Sequence, residues 1–102
     1  PIITTGGTGI TGYDGTAEAS LPLLDNVIVG CGEMFRSLSY QNIKTSTFQS
    51  RVFADAANGT FIFCLPGSPG ACKDGWDLLI SHQLDHRTKP CNLVELMPRL
   101  QE

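Results

Sequence analysis

The stretch Val52-Phe53-Ala54-Asp55-Ala56-Ala57-Asn58-Gly59-Thr60-Phe61-Ile62-Phe63-Cys64-Leu65-Pro66-Gly67-Ser68-Pro69-Gly70 decides the fold class. Asn58-Gly59 is the strongest short hairpin signal a chain can carry, because both turn positions need φ > 0. Residues 52–57 and 60–65 therefore read as paired strands. The run 61–65 does not alternate, which is the pattern of a strand covered on both faces. Ser68-Pro69 then supplies an N-cap and a proline at the first helical position. The helix it opens is predicted to run to about Leu84, with Cys72, Trp76, Leu79, Ile80 and Leu84 on one face.

Outward from this unit the pattern alternates. Residues 1–4 read as a further apolar strand, and 5–15 as a loop holding five glycines. A helix is predicted from near Thr16 to about Asp25, with Glu18 in its first turn and Pro22 shortening or kinking it. Gly30 and Gly32 are expected to break the chain before a helix over 33–40, whose residues 34, 35 and 38 are apolar at helical spacing. Residues 45–51 lean helical, and 91–97 read as extended. Strands alternating with helices predict an α/β three-layer sandwich with a mostly parallel sheet and one antiparallel hairpin.

The chain has 102 residues, enough for one modest domain. The apolar start at Pro1-Ile2-Ile3 reads as a buried strand, so partners for Ile2 and Ile3 are expected in preceding chain. Seven basic and ten acidic residues give a net charge of −3, without a basic cluster. That argues against a sequence-independent grip on nucleic acid. No apolar run approaches membrane-spanning length. Cys31, Cys64, Cys72 and Cys91 show neither CxxC nor metal-ligand spacing, and read as reduced structural cysteines of a cytoplasmic protein.

Residues 1–14, Pro-Ile-Ile-Thr-Thr-Gly-Gly-Thr-Gly-Ile-Thr-Gly-Tyr-Asp, run an apolar strand into a glycine-rich loop that closes on a carboxylate. Glycines let backbone N–H groups turn toward a phosphate, and an acid just beyond can hold a metal on it. Leu65-Pro66-Gly67-Ser68-Pro69-Gly70 repeats the theme after a second strand, so two loops suggest one pocket for a phosphorylated ligand. A P-loop is excluded, because Tyr13 and Asp14 stand where Lys and Ser/Thr must be. Gly7-Thr8-Gly9-Ile10-Thr11-Gly12 matches the dinucleotide fingerprint, with Glu33 about twenty residues on, but Tyr13-Asp14-Gly15 delays the helix that fingerprint requires. In the third reading the loop amides and hydroxyls hold an anion while Asp14 binds a cation or positions a reacting phosphate. A purely structural turn would explain the glycines, but not the crowding of Thr5, Thr8, Thr11, Asp14 and Thr16.

Thr4-Thr5-Gly6-Gly7-Thr8-Gly9, followed by Asp14, Thr16 and Glu18, resembles the signature of the MoaB/MogA molybdopterin-binding domain of molybdenum-cofactor biosynthesis. The likeness continues through Gly32-Glu33-x-Phe35-Arg36, Thr45-Ser46, Ser50-Arg51, Ala57-Asn58-Gly59-Thr60 and Leu65-Pro66-Gly67-Ser68-Pro69-Gly70-Ala71. Gln83-Leu84-Asp85-x-Arg87-Thr88-x-Pro90-Cys91-Asn92 is similar to the MoaB branch in particular. The resemblance covers nearly all of residues 1–102 and about the last three-fifths of the usual domain. It implies that molybdopterin is bound by its terminal phosphate and adenylylated with Mg²⁺ and ATP, a nucleotidyltransferase reaction releasing pyrophosphate. A non-catalytic molybdopterin-binding or carrier module is the alternative. The resemblance also implies a homotrimer or homohexamer, possibly working with other molybdenum-cofactor biosynthesis proteins.

Carried over to this sequence, the resemblance makes Asp14 the catalytic or metal-binding carboxylate. Thr5, Gly6, Gly7, Thr8 and Gly9 cradle phosphate, Thr16 and Glu18 shape the same loop, and Ser50, Pro66, Gly67 and Ser68 line the pterin side. Tyr13 and Ala17 replace an arginine and a proline common in the family. Elsewhere, His82 and His86 read as solvated residues at a helix C-terminus, since Gln83 cannot serve as the base of a zinc protease motif. Cys31 reads as packing rather than a nucleophile, and Trp76 as core or interface. Phe35, Leu38 and Tyr40 are candidates for an oligomer contact.

Overall fold

A computed structural model describes residues 1–11, 15–16 and 26–100. The sheet order is β1-β4-β3-β2, where β1 is Ile2–Thr5, β2 Asn26–Val27, β3 Phe53–Ala57 and β4 Thr60–Leu65. β1 pairs parallel with β4, in register from Ile2 opposite Ile62 to Thr5 opposite Leu65. β3 and β4 form the predicted hairpin across Asn58 (φ 51°) and Gly59 (φ 72°). β2 adds antiparallel to β3. Among the described residues the sheet is thus mixed and not mostly parallel. Its one parallel pairing is β1 with β4, because the hairpin and the returning β2 both reverse the chain.

Helix α1 spans Val29–Ile43 and passes into a 3₁₀ segment, Lys44–Gln49. α1 starts before the predicted point and absorbs both Gly30 and Gly32. The reason is tertiary: a Cβ on Gly32 would lie 2.5 Å from the Val52 carbonyl oxygen and 2.8 Å from the Arg36 guanidinium. Gly32 is there to let α1 close on β3. The buried stripe of α1 is accordingly Gly32, Phe35 and Ser39, with Cys31 half-buried, while Met34 is exposed.

α2 spans Pro69–Gly75, with Ser68 Oγ accepting the Ala71 N–H as its cap. It continues through a wide π turn, Trp76–Ile80, and ends over Ser81–Gln83. Cys72, Leu79, Ile80 and Leu84 face the core as predicted. Trp76 opens the wide turn and is 44% exposed, so it does not belong to that face. The segment read as a final extended piece is instead a 3₁₀ turn, Val94–Arg99. Buried Asn92 nucleates it, accepting the Glu95 N–H and donating to the His86 and Thr88 carbonyls.

α1 and α2 both pack on the sheet face that carries Val52, Ala54, Phe61, Phe63 and Leu65. The opposite face carries Phe53, Cys64, Ile62 and Asp55. Among the described residues β1 lies at the sheet edge, with Ile2 and Ile3 exposed. The predicted helix over residues 16–25 lies largely outside the described residues, although Thr16 itself is helical. No helix among the described residues is long and apolar enough to cross a membrane.

Candidate functional site

Parallel neighbours that stop at the same register deliver their following loops to the same edge of a sheet, the usual place for a ligand in α/β folds. Here Thr5 pairs with Leu65, so the glycine loop after β1 and the Pro66-Gly67-Ser68 loop after β4 leave side by side. They touch: a Cβ on Gly67 would sit 3.4 Å from the Gly6 Cα. β3 runs antiparallel to β4, which brings its preceding residues Ser50 and Arg51 to the same edge.

The hydrogen bonds of the glycine loop are one-sided. Gly6 is anchored by its N–H to the Leu65 carbonyl at 2.8 Å. The Gly6 carbonyl accepts Thr16 Oγ1 at 2.7 Å, and the Gly7 carbonyl accepts the Thr16 N–H at 3.0 Å. The Thr8 carbonyl accepts the Arg51 N–H at 2.8 Å, and the Gly9 carbonyl accepts Arg51 Nε at 2.6 Å. Four consecutive carbonyls are therefore spent inside the protein. The N–H groups of Gly7, Thr8 and Gly9 take no partner among the described residues. Positive φ at Gly6 (95°) and Gly7 (70°) turns the backbone this way, the geometry of an anion-binding nest.

Gly7, Thr8 and Gly9 form one wall of a pocket of about 260 Å³. Ser50, Pro66, Gly67 and Ser68 line it from the neighbouring loops, and Phe35, Ser39, Ser46, Thr47 and Gln49 close it from α1 and the 3₁₀ segment. Thr8 is buried, 4% exposed, within this wall. Of the predicted site residues, Gly7, Thr8, Gly9, Ser50, Pro66, Gly67 and Ser68 thus converge. Thr5 and Gly6 lead into the loop, and Thr16 braces it from behind, without lining the pocket. Asp14 and Glu18 lie outside the described residues.

Ser39, Ser46, Thr47 and Gln49 were not singled out from sequence as pocket residues. Their polarity at the end of an apolar helix was the available signal. Phe35, a candidate for an oligomer contact on sequence, is buried in the core beneath this pocket.

The electrostatics are local. Among the described residues no group of three His, Cys, Asp or Glu is gathered to hold a metal. Mg²⁺ on a nucleotide asks for less, one or two carboxylates with phosphates and waters completing its shell. At the far end of the α1–α2 groove Cys31 lines a second, apolar cavity of about 270 Å³, and burial pushes its thiol up despite the opposing Arg36 charge. That favours the protonated, unreactive form. His82 and His86 are exposed, the latter beside an Asp85–Arg87 ion pair of 2.7 Å on the surface.

Residues 1–86 match the family model described as "Probable molybdopterin binding domain". The chain is 53% identical over 91 residues to molybdenum cofactor biosynthesis protein B of Escherichia coli (strain K12), covering 89% of this chain and 54% of that protein. A crystal structure of molybdenum cofactor biosynthesis protein B superposes with a TM-score of 0.81 at 37% identity, over 97% of this chain and 56% of that one. The tungsten cofactor synthesizing protein MoaB from Pyrococcus furiosus gives 0.77 at 33% identity, over 98% and 58%. The chain spans about half the length of these relatives. On a family match across most of its residues, two loops meeting at one sheet edge and the shared fold, this chain belongs to the MoaB/MogA molybdopterin-binding-domain family.

Proposed function

We propose that this chain carries the phosphate-binding part of a molybdopterin adenylyltransferase of molybdenum-cofactor biosynthesis. The observation that carries the reading is the one-sided loop. Its carbonyls are satisfied by Thr16 and Arg51, and its Gly7, Thr8 and Gly9 amides remain for an anion. Backbone N–H groups held this way lose little by reorganising when negative charge arrives.

The reaction joins a terminal phosphate oxygen of molybdopterin to the α-phosphorus of ATP while the bond to the β-phosphate breaks. The products are adenylyl-molybdopterin and pyrophosphate. Such a transfer asks for alignment and charge neutralisation more than covalent chemistry. The amides of Gly7, Thr8 and Gly9 hold the attacking phosphate. Ser50 and the Pro66-Gly67-Ser68 loop shape the pterin side, and Thr16 keeps the loop in place. Asp14 would hold Mg²⁺, which would supply neutralisation of the triphosphate charge. The setting is cytoplasmic and the assembly a homotrimer or homohexamer.

The test is to titrate the protein with molybdopterin and Mg²⁺-ATP and follow pyrophosphate release. Asp14→Asn is expected to keep molybdopterin affinity and lose most turnover, about a hundredfold or more for removal of a charge-stabilising group. Undiminished turnover in that variant rules out the role given to Asp14. Binding without any pyrophosphate release in the unaltered protein favours the carrier alternative.

A further inference from the structure

We propose that Arg51 is the positioning residue of the anion loop, and that it acts through two loop carbonyls and not by touching the anion. This deepens the functional reading above and rests on it. Among the described residues Arg51 meets the loop by its own N–H at Thr8 and by Nε at Gly9. A peptide unit whose carbonyl is held in one direction presents the following N–H in the opposite one. Fixing the Thr8 and Gly9 carbonyls therefore sets where the Gly9 and Ile10 amides point.

Arg51 is itself held from α1. Arg36 Nη1 donates to the carbonyls on either side of it, Ser50 at 3.4 Å and Val52 at 3.1 Å. Gly32, one turn back, leaves room for that guanidinium against the Val52 carbonyl. Thr47 Oγ1 ties the 3₁₀ segment to the Arg36 carbonyl at 3.4 Å. The order of support runs from the α1 stripe, through Arg36, to residues 50–52, to Arg51 and then to the loop. A lone glycine loop would sample many conformers, and this chain of donors selects one.

The experiment uses inorganic phosphate and pyrophosphate as probes. Backbone amide resonances of Gly7, Thr8, Gly9 and Ile10, the last being the amide set by the Arg51 side chain, are followed by NMR during titration of the protein and of R51Q and R51K. In the unaltered protein these amides are expected to shift. R51Q, which cannot hold the Gly9 carbonyl with a charged donor, is expected to bind about tenfold or more weakly, and R51K, with a single-point donor in place of the fixed guanidinium, about threefold to tenfold.

The ratio of unaltered to R51Q affinity is expected to stay constant between about 50 mM and about 500 mM salt, since a positioning effect is not screened as a direct charge contact is. Affinities of both variants within about twofold of the unaltered protein overturn the proposal. So does a ratio that collapses with salt, which would make the guanidinium a direct anion contact. If R51Q does not fold, R51K alone decides on the same criteria. Failure of the unaltered protein to shift these amides at all refutes the site reading, a different outcome from equal binding in the variants.

Discussion

Asp55 sits fully buried in mid-strand, where nothing in the sequence pattern marks it out. Its Oδ1 accepts the Asn26 N–H at 3.0 Å, but Oδ2 has no partner among the described residues. A carboxylate with one donor in an apolar sheet face is costly to bury. Asp55→Asn keeps the acceptor for Asn26 and removes the charge. It is expected to raise stability at pH 7 by about 1 kcal/mol, or roughly 4–8 °C in thermal midpoint. An equal or lower midpoint at pH 7 refutes this. At the same scale the glycine loop was legible because its residue types act locally. Gly7 is at φ 70°, and a Cβ there would run into Thr16 Oγ1. The partners of that loop were legible only in part: Thr16 was named, but Arg51, forty-two residues from Gly9, was quoted only as a motif neighbour of Ser50.

Among the elements, those specified by short-range chemistry matched expectation. Asn58-Gly59 made the hairpin, and Ser68-Pro69 made the start of α2. Gly59→Ala tests how far the turn is held by its backbone requirement. At φ 72° an alanine is strained, and the expected loss is about 1 kcal/mol, read as a lower urea midpoint with an unchanged slope. An unchanged midpoint would mean the turn relaxes to another type without penalty. The misread elements depended on distant partners. Gly32 looks like a helix breaker until the Val52 carbonyl arrives against it. Residues 91–97 look extended until Asn92 gathers three carbonyl and carboxylate acceptors. The expectation of a mostly parallel sheet failed at β2, a two-residue strand too short to announce its direction.

Across the whole molecule, the exposed apolar side chains include a group beside the candidate site. Phe48 is 92% exposed on the 3₁₀ segment whose neighbours Thr47 and Gln49 line the pocket. Tyr40 and Ile43 are exposed at the end of α1 that leads into it. Large apolar residues left uncovered together are the mark of an interface more than of a free surface. Of the residues expected at an oligomer contact, Phe35 is in the core and Tyr40 is exposed, with Ile43 and Phe48 exposed near it. If the chain assembles as the proposed trimer or hexamer through this end, Phe48→Asp places a charge in the centre of the contact. Light scattering at fixed concentration is then expected to fall from the mass of the assembly toward that of one chain. Met34→Asp, exposed on α1 but at the other cavity, should leave the mass unchanged. An F48D protein that keeps the full assembly mass excludes this end as the interface. Equal loss in both variants would point to a general fault in folding and not to a specific contact. Because Ser46, Thr47 and Gln49 share their segment with Phe48, loss of assembly is also expected to loosen that pocket wall, so phosphate affinity should fall with the mass in F48D and hold in the Met34 variant.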